Sequence, residues 1–183
     1  MRTFLALELP KEIKDYLSEL TRELAEFCTD EVKWVSRENL HITLQFIGKT
    51  HPEDIKEISA YAAQQFQKIE DLQMHSPNLQ IIPARRPKII WVSLQTENKE
   101  LFKAAKRIGR RLEQLGYEID RRPLKLHVTL GRVKKRLPEK VVNFTLTKEI
   151  EFSKLKVPGL TLYRSYLKPT GPEYEKLVEI PKE

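Results

Sequence analysis

The chain has 183 residues, 40% of them hydrophobic and 32% charged, which suits one globular domain or two small, intimately packed lobes. It has no apolar run long enough to span a bilayer, and the opening MRTFLALELPKEIK lacks the apolar stretch and cleavage site of a secretory signal, so the expectation is a cytoplasmic protein with no membrane partner. The net charge of +7 is uneven: residues 85–136 hold 16 Lys and Arg against 5 Asp and Glu, a concentration that favours a polyanionic partner such as nucleic acid.

In chain order, alternation predicts a strand at Thr3 to Glu8. A helix follows from about Lys11 to Phe27, with Ile13, Leu17, Leu20 and Leu24 on one stripe. The single cysteine, Cys28, rules out an internal disulfide and reads as a packing residue. Leu40 to Ile47 alternates again as a strand in which His41, Thr43 and Gln45 share one face and Ile42, Leu44 and Phe46 point to the core. Thr50-x-x-Glu53 with Pro52 has the form of a capping box opening a helix that carries Ile55, Ile58, Ala62, Phe66 and Ile69. The Pro-rich SPNLQIIPARRP reads as a connection into a strand at Lys88 to Leu94.

A helix from about Asn98 to Leu115 is stopped by Gly116. Leu126 to Val133 is a strand in which His127 and Thr129 share a face opposite Val128 and Leu130. Strict alternation would send Arg132 to the core side. A bend or bulge at Gly131 is expected to turn it back toward the histidines. The tail offers three more apolar runs, Ile150 to Val157, Leu160 to Leu167 and Tyr174 to Ile180, separated by turns at Pro158-Gly159 and Pro169 to Pro172.

Two of these strands carry the same tag, His-x-Thr-Leu, at His41 and at His127, so that half of the 4 histidines lie in one repeated motif. The order strand, helix, tag also recurs: Phe4 to His41 spans 37 residues and Trp91 to His127 spans 36. This internal repeat, approximately 1–84 and 85–183, predicts an α+β fold of two pseudo-symmetric lobes facing one another across a cleft, together one domain of residues 1–183. Each tag sets an imidazole, able to give or take a proton near neutral pH, beside a hydroxyl that can orient it or bond an anionic oxygen. Arg132 adds a guanidinium suited to two-pronged phosphate binding. The sequence contains no GxxxxGK loop and no HExxH motif, and His51 with Asp54 reads as a helix start.

These residues resemble the 2H phosphoesterase superfamily, in the branch called RNA 2′,3′-cyclic phosphodiesterase or 2′-5′ RNA ligase. The resemblance rests on HITL and HVTL, the opening RTFLALELP, Trp34 and Asn39, the PKIIWV strand, RRPLKLHVTLGR and the closing LYRSYLKPTGPEYEKL. The chain departs from the family pattern at Leu124, often an aromatic position, and at Leu126, often a proline. The resemblance implies that each lobe is an antiparallel sheet backed by helices and that the cleft is basic. It implies no metal and no cofactor, with which the lack of GxxxxGK and HExxH motifs agrees. It further implies hydrolysis of RNA 2′,3′-cyclic phosphate ends to 2′-phosphates, with ATP-independent 2′-5′ joining in reverse. His41 is then the proton donor and His127 the acceptor. Thr43, Thr129 and Arg132 bind phosphate, and Trp34, Arg122 and Tyr174 are the candidates to touch RNA. The expected partner is RNA with a 2′,3′-cyclic phosphate end, tRNA fragments included, acted on by a monomer. Two alternatives share the sequence features: a phosphodiesterase for 2′-5′ oligonucleotides or small cyclic phosphates, and an RNA-binding module with a silent site.

Overall fold

The computed structural model describes residues 1–83, 86, 88–168 and 171–182. Its strands are β1 (Arg2–Leu7), β2 (Val32–Trp34), β3 (Ile42–Lys49), β4 (Gln73–Ile82), β5 (Ile89–Gln95), β6 (His127–Val133), β7 (Lys154–Lys156), β8 (Gly159–Lys168) and β9 (Gly171–Pro181). Its helices are α1 (Lys11–Ala25), α2 (Ile55–Gln67), α3 (Lys99–Gln114) and α4 (Glu139–Thr147). Every strand pairing is antiparallel. The strand order is β7-β4-β5-β6-β3-β1-β8-β9, with β2 added alongside β6. Between β6 and β3 the ladder narrows to one pair, Ile42 with Val128. This divides the sheet into a five-stranded lobe (β7, β4, β5, β6 and β2) and a four-stranded lobe (β3, β1, β8 and β9), in agreement with the expected bilobal α+β fold.

The two halves of the sequence interleave in space. β8 and β9, from the C-terminal end, complete the sheet begun by β1 and β3, while β4 joins β5, β6 and β7. Helices are exchanged in the same way. α1 packs against β2 and β6, and α4 against β4, whereas α2 and α3 pack on each other and against β8 and β3. Leu5 and Leu7 of β1, Ile42, Val128, and Ile90 and Val92 of β5 are fully buried in one apolar cluster that runs through both lobes. A continuous core of this kind makes the lobes one packed unit.

Several local features differ from the sequence reading. Thr50 caps no helix: its hydroxyl bonds Thr3 Oγ1 at 2.7 Å and the Gly48 carbonyl at 3.0 Å, and its backbone pairs with that of Met1. The end of the β1–β3 ladder has therefore claimed the threonine. Residues 52–54 form a 3-10 turn and α2 begins at Ile55. The Pro-rich stretch contains a full strand, β4, because the ladder skips Ser76 and Pro77 between His75 and Asn78. Ser76 takes φ +51° there, and a bulge accommodates a proline that has no N–H to donate. The short elements β2 and α4 were absent from the sequence reading.

Gly131 has a steric reason to be glycine. A Cβ built there would lie 2.5 Å from Val32 Cγ1 and 2.8 Å from Trp34 Cε3, since β2 is laid directly over it. Gly131→Ala should accordingly cost about 1–3 kcal/mol of stability through overpacking, measured as a lower urea midpoint with an unchanged slope.

Candidate active site

Antiparallel pairing about Ile42 and Val128 buries both side chains and directs the flanking residues, His41 and Thr43 on one strand and His127 and Thr129 on the other, to the opposite face. That face is the floor of a cleft of about 1300 Å³, which all four residues line. Both rings are held alike. His41 Nδ1 lies 2.6 Å from the Asn39 carbonyl and His127 Nδ1 lies 2.8 Å from the Lys125 carbonyl. A carbonyl only accepts, so Nδ1–H is the donor in each ring and Nε2 carries the lone pair when the ring is neutral. In the neutral His41 ring, Nε2 accepts from the Thr43 hydroxyl at 3.0 Å.

Aromatic side chains support each imidazole. Phe4 lies beneath His41 with ring centroids 5.0 Å apart, and Trp91 lies beneath His127 at 4.2 Å. The two residues occupy the equivalent strands of the two repeats, and Trp91 is pinned by its indole N–H to Gln80 Oε1 at 2.9 Å. Tyr174 of β9 meets His41 edge-on at 5.5 Å, and Tyr163 of β8 stacks on Phe4 at 5.3 Å and lies 6.1 Å from His41 itself. Behind this stack the Tyr163 hydroxyl donates to Glu8, whose carboxylate also receives Lys14 at 3.3 Å. Burial alone would raise the Glu8 pKa, but Tyr163 and Lys14 together hold it below its ordinary value.

Burial against these rings pushes His41 from an ordinary 6.5 down to about 4, opposed by its bond to Asn39 and by the charge of Glu8. Burial likewise lowers His127, with Arg132 and Lys125 adding repulsion, against the bond to the Lys125 carbonyl. Both imidazoles are therefore neutral in the empty cleft at pH 7. Binding of an anion between them favours protonation of one.

Arg132 is exposed and lines the cleft. The β5–β6 register shifts between Ile90 and Trp91, leaving Leu130 as an extra residue beside Gly131, which is the bulge expected there. Trp34, Arg122 and Tyr174 also line the cleft. Arg122, on the rim, is already engaged by Asp120 at 2.9 Å. Phe46 departs from expectation: it is 58% exposed and faces the cleft, while Ile47 is buried. The β1–β3 register passes from Leu5–Gln45 to Ala6–Thr43 and leaves Leu44 unmatched, so alternation restarts and Phe46 changes sides. Lys33 and Lys125, two further cations of the cleft, were not singled out from sequence. The support given by Phe4 and Trp91 was also missed, although their matched spacing to the histidines was the available signal.

The chain matches the family model described as LigT like Phosphoesterase twice, over residues 7–91 and 92–174. It is 30% identical to the RNA 2′,3′-cyclic phosphodiesterase of Methanocaldococcus jannaschii, across 98% of this chain and 99% of that protein. It is 29% identical to the Archaeoglobus fulgidus protein of the same name, across 97% and 98%. Among solved structures, TT0787 of Thermus thermophilus superimposes with a TM-score of 0.82 at 26% identity, covering 99% of this chain and 97% of that one. Escherichia coli LigT complexed with 3′-AMP shares the fold, with a TM-score of 0.74 at 21% identity, covering 99% and 97%.

The depressed histidines set a pH dependence. Below pH 6.5 the unfolded chain binds protons that the folded chain does not, so the stability they contribute is complete above 6.5 and is lost as pH falls toward about 4. In the absence of ligand, NMR titration should find His41 near 4 and His127 below 6.5. His41→Gln should flatten the loss of urea stability over this range, and a His41 that titrates at 6.5 or above would contradict the assignment.

Proposed function

Because the chain belongs to the LigT-like phosphoesterase family, we propose that it hydrolyses RNA 2′,3′-cyclic phosphate ends to 2′-phosphates and, with an RNA 5′-hydroxyl in place of water, forms 2′-5′ linkages without ATP. The observation that carries this reading is the presence, on one cleft floor, of two imidazoles whose Nδ1 atoms are both tied to backbone carbonyls and whose Nε2 atoms are left for chemistry. The relatives named RNA 2′,3′-cyclic phosphodiesterase support the choice of substrate.

In this reaction His127 Nε2 takes a proton from the attacking water as its oxygen bonds to phosphorus. The bond from phosphorus to the ribose 3′-oxygen breaks on the opposite side, and His41 Nε2–H delivers a proton to that oxygen. The phosphate stays on the 2′-oxygen. Thr43, Thr129 and Arg132 hold the non-bridging oxygens, on which charge redistributes during the step. His41 acquires its proton when the anionic substrate enters, with Glu8 favouring the charged ring. Assignment of His41 as donor and His127 as acceptor follows the family resemblance. The reading includes tRNA fragments among the substrates and a monomeric, cytoplasmic enzyme acting as one domain over residues 1–183. The core shared by both lobes and the buried, unpaired Cys28 support it. No described helix is long and apolar enough to cross a membrane.

His41→Ala and His127→Ala should each lower kcat about 10²- to 10⁴-fold while thermal unfolding of the variants stays close to wild type. Arg132→Ala should lose turnover even on a cyclic mononucleotide, a substrate too small to reach the surrounding basic surface. A folded histidine variant with near-normal turnover would overturn the two-histidine mechanism.

Phosphorus NMR of the product should show a 2′-phosphate. Activity should persist in excess chelator with a bell-shaped pH profile, as expected of one protonated and one neutral group. A predominantly 3′-phosphate product, or activity lost to chelator and restored by metal, would rule the mechanism out.

A further inference from the structure

The basic side chains of α3 are divided by their partners. On the side facing α2, Arg107 bonds Glu100 and Gln65, and Arg111 bonds Glu57. On the side lining the cleft, Lys106 and Arg110 are exposed and have no carboxylate partner among the described residues. The nearest acids do not neutralise them. Glu113 is taken by Arg121 at 2.8 Å, and Asp120 by Arg122. Lys106 and Arg110 stand four residues apart on the helix, a like-charge spacing that costs the helix stability rather than adding to it. Two adjacent, unneutralised cations directed into a cleft are suited to an anion supplied from outside.

Their position defines which anion. Gly109 brings α3 against β3, since a Cβ at Gly109 would lie 3.5 Å from Gln45 Oε1. Gln45 follows His41 by four residues with Leu44 bulged out between them, about 10 Å at the rise of an extended strand. The cyclic phosphate occupies the histidines, so a phosphate beside α3 belongs to another nucleotide of the same strand.

We propose that Lys106 and Arg110 form a second phosphate subsite, which binds an internal phosphodiester of the RNA upstream of its cyclic phosphate end and makes the enzyme selective for oligonucleotides over mononucleotides. The inference rests on the hydrolytic reading above. A strand anchored at both places lies along the cleft that β3 and α3 both line, with its reactive end at His41 and His127. Each phosphate contact adds to the salt dependence of binding to single strands with a log–log slope of about 0.7.

The test compares cytidine 2′,3′-cyclic phosphate with a tetranucleotide bearing the same cyclic end, over a range of salt concentrations. Wild type should show higher kcat/KM on the tetranucleotide, and the advantage should shrink as salt rises. Lys106→Ala/Arg110→Ala should lower kcat/KM on the tetranucleotide about tenfold, mainly through KM, with a salt slope shallower by about 0.7, and should leave the mononucleotide unchanged. Arg107→Ala/Arg111→Ala removes the same charge from the paired side of α3 and should have little effect on either substrate, once unfolding curves show that the variant is folded. The subsite is refuted if wild type turns over both substrates without preference, if the first double variant slows both equally, or if the second variant matches the first. Wild type that cleaves neither substrate would instead refute the hydrolytic reading itself, and the subsite with it.

Discussion

One backbone pairing, Ile42 with Val128, connects the two lobes' sheets and sets the site between them. Both residues are fully buried, so the contact is a piece of core, and strand alternation on either side of it sends two histidines and two threonines to the concave face. The imidazoles belong to rigid strand ends. Backbone carbonyls fix each ring through Nδ1, and aromatic floors fix it from below. Such a site is preorganised: hydrogen bonds and ring contacts already fix both imidazoles.

The same aromatic burial that orients the histidines also disfavours their charge. A ring at about 4 is neutral at pH 7, and a neighbouring anion favours the charged form of such a ring. Arg132 and Lys125, which line the same cleft, oppose protonation of His127, and Lys14 opposes that of His41. Glu8 works in the opposite direction from behind the Phe4–Tyr163 stack. The balance ties the acid form of the site to occupancy by substrate.

Much of this was legible in the sequence where a residue's role is set by its immediate neighbours. Alternation placed His41, Thr43, His127 and Thr129 on one face, and Gly131 marked the bulge that frees Arg132. Legibility failed where a distant strand decides. Phe46 changes face because β1 leaves Leu44 unmatched, and no glycine or proline marks that bulge. Thr50 has the sequence context of a cap, but the ladder with the chain's first residues takes its hydroxyl. Pro77 and its neighbours disguised β4 as a linker, and the three residues of β2 show no period of their own. The interleaving of the repeats is likewise a matter of long-range partner choice, which a matched spacing of 37 and 36 residues does not reveal.

Interleaving also bears on when the protein becomes competent. β1 is synthesised long before one of its two neighbours, β8, since nearly every other element lies between them in the chain. The stack that seats His41 draws Tyr163 and Tyr174 from the same late hairpin. A nascent chain halted after its second histidine would carry both tags, with β1 open along one edge and Phe4 without its covering rings. Such long-range closure is slow to form and leaves apolar surface exposed in the interval. The seat of His41 is thus complete only once β8 and β9 have been made and paired.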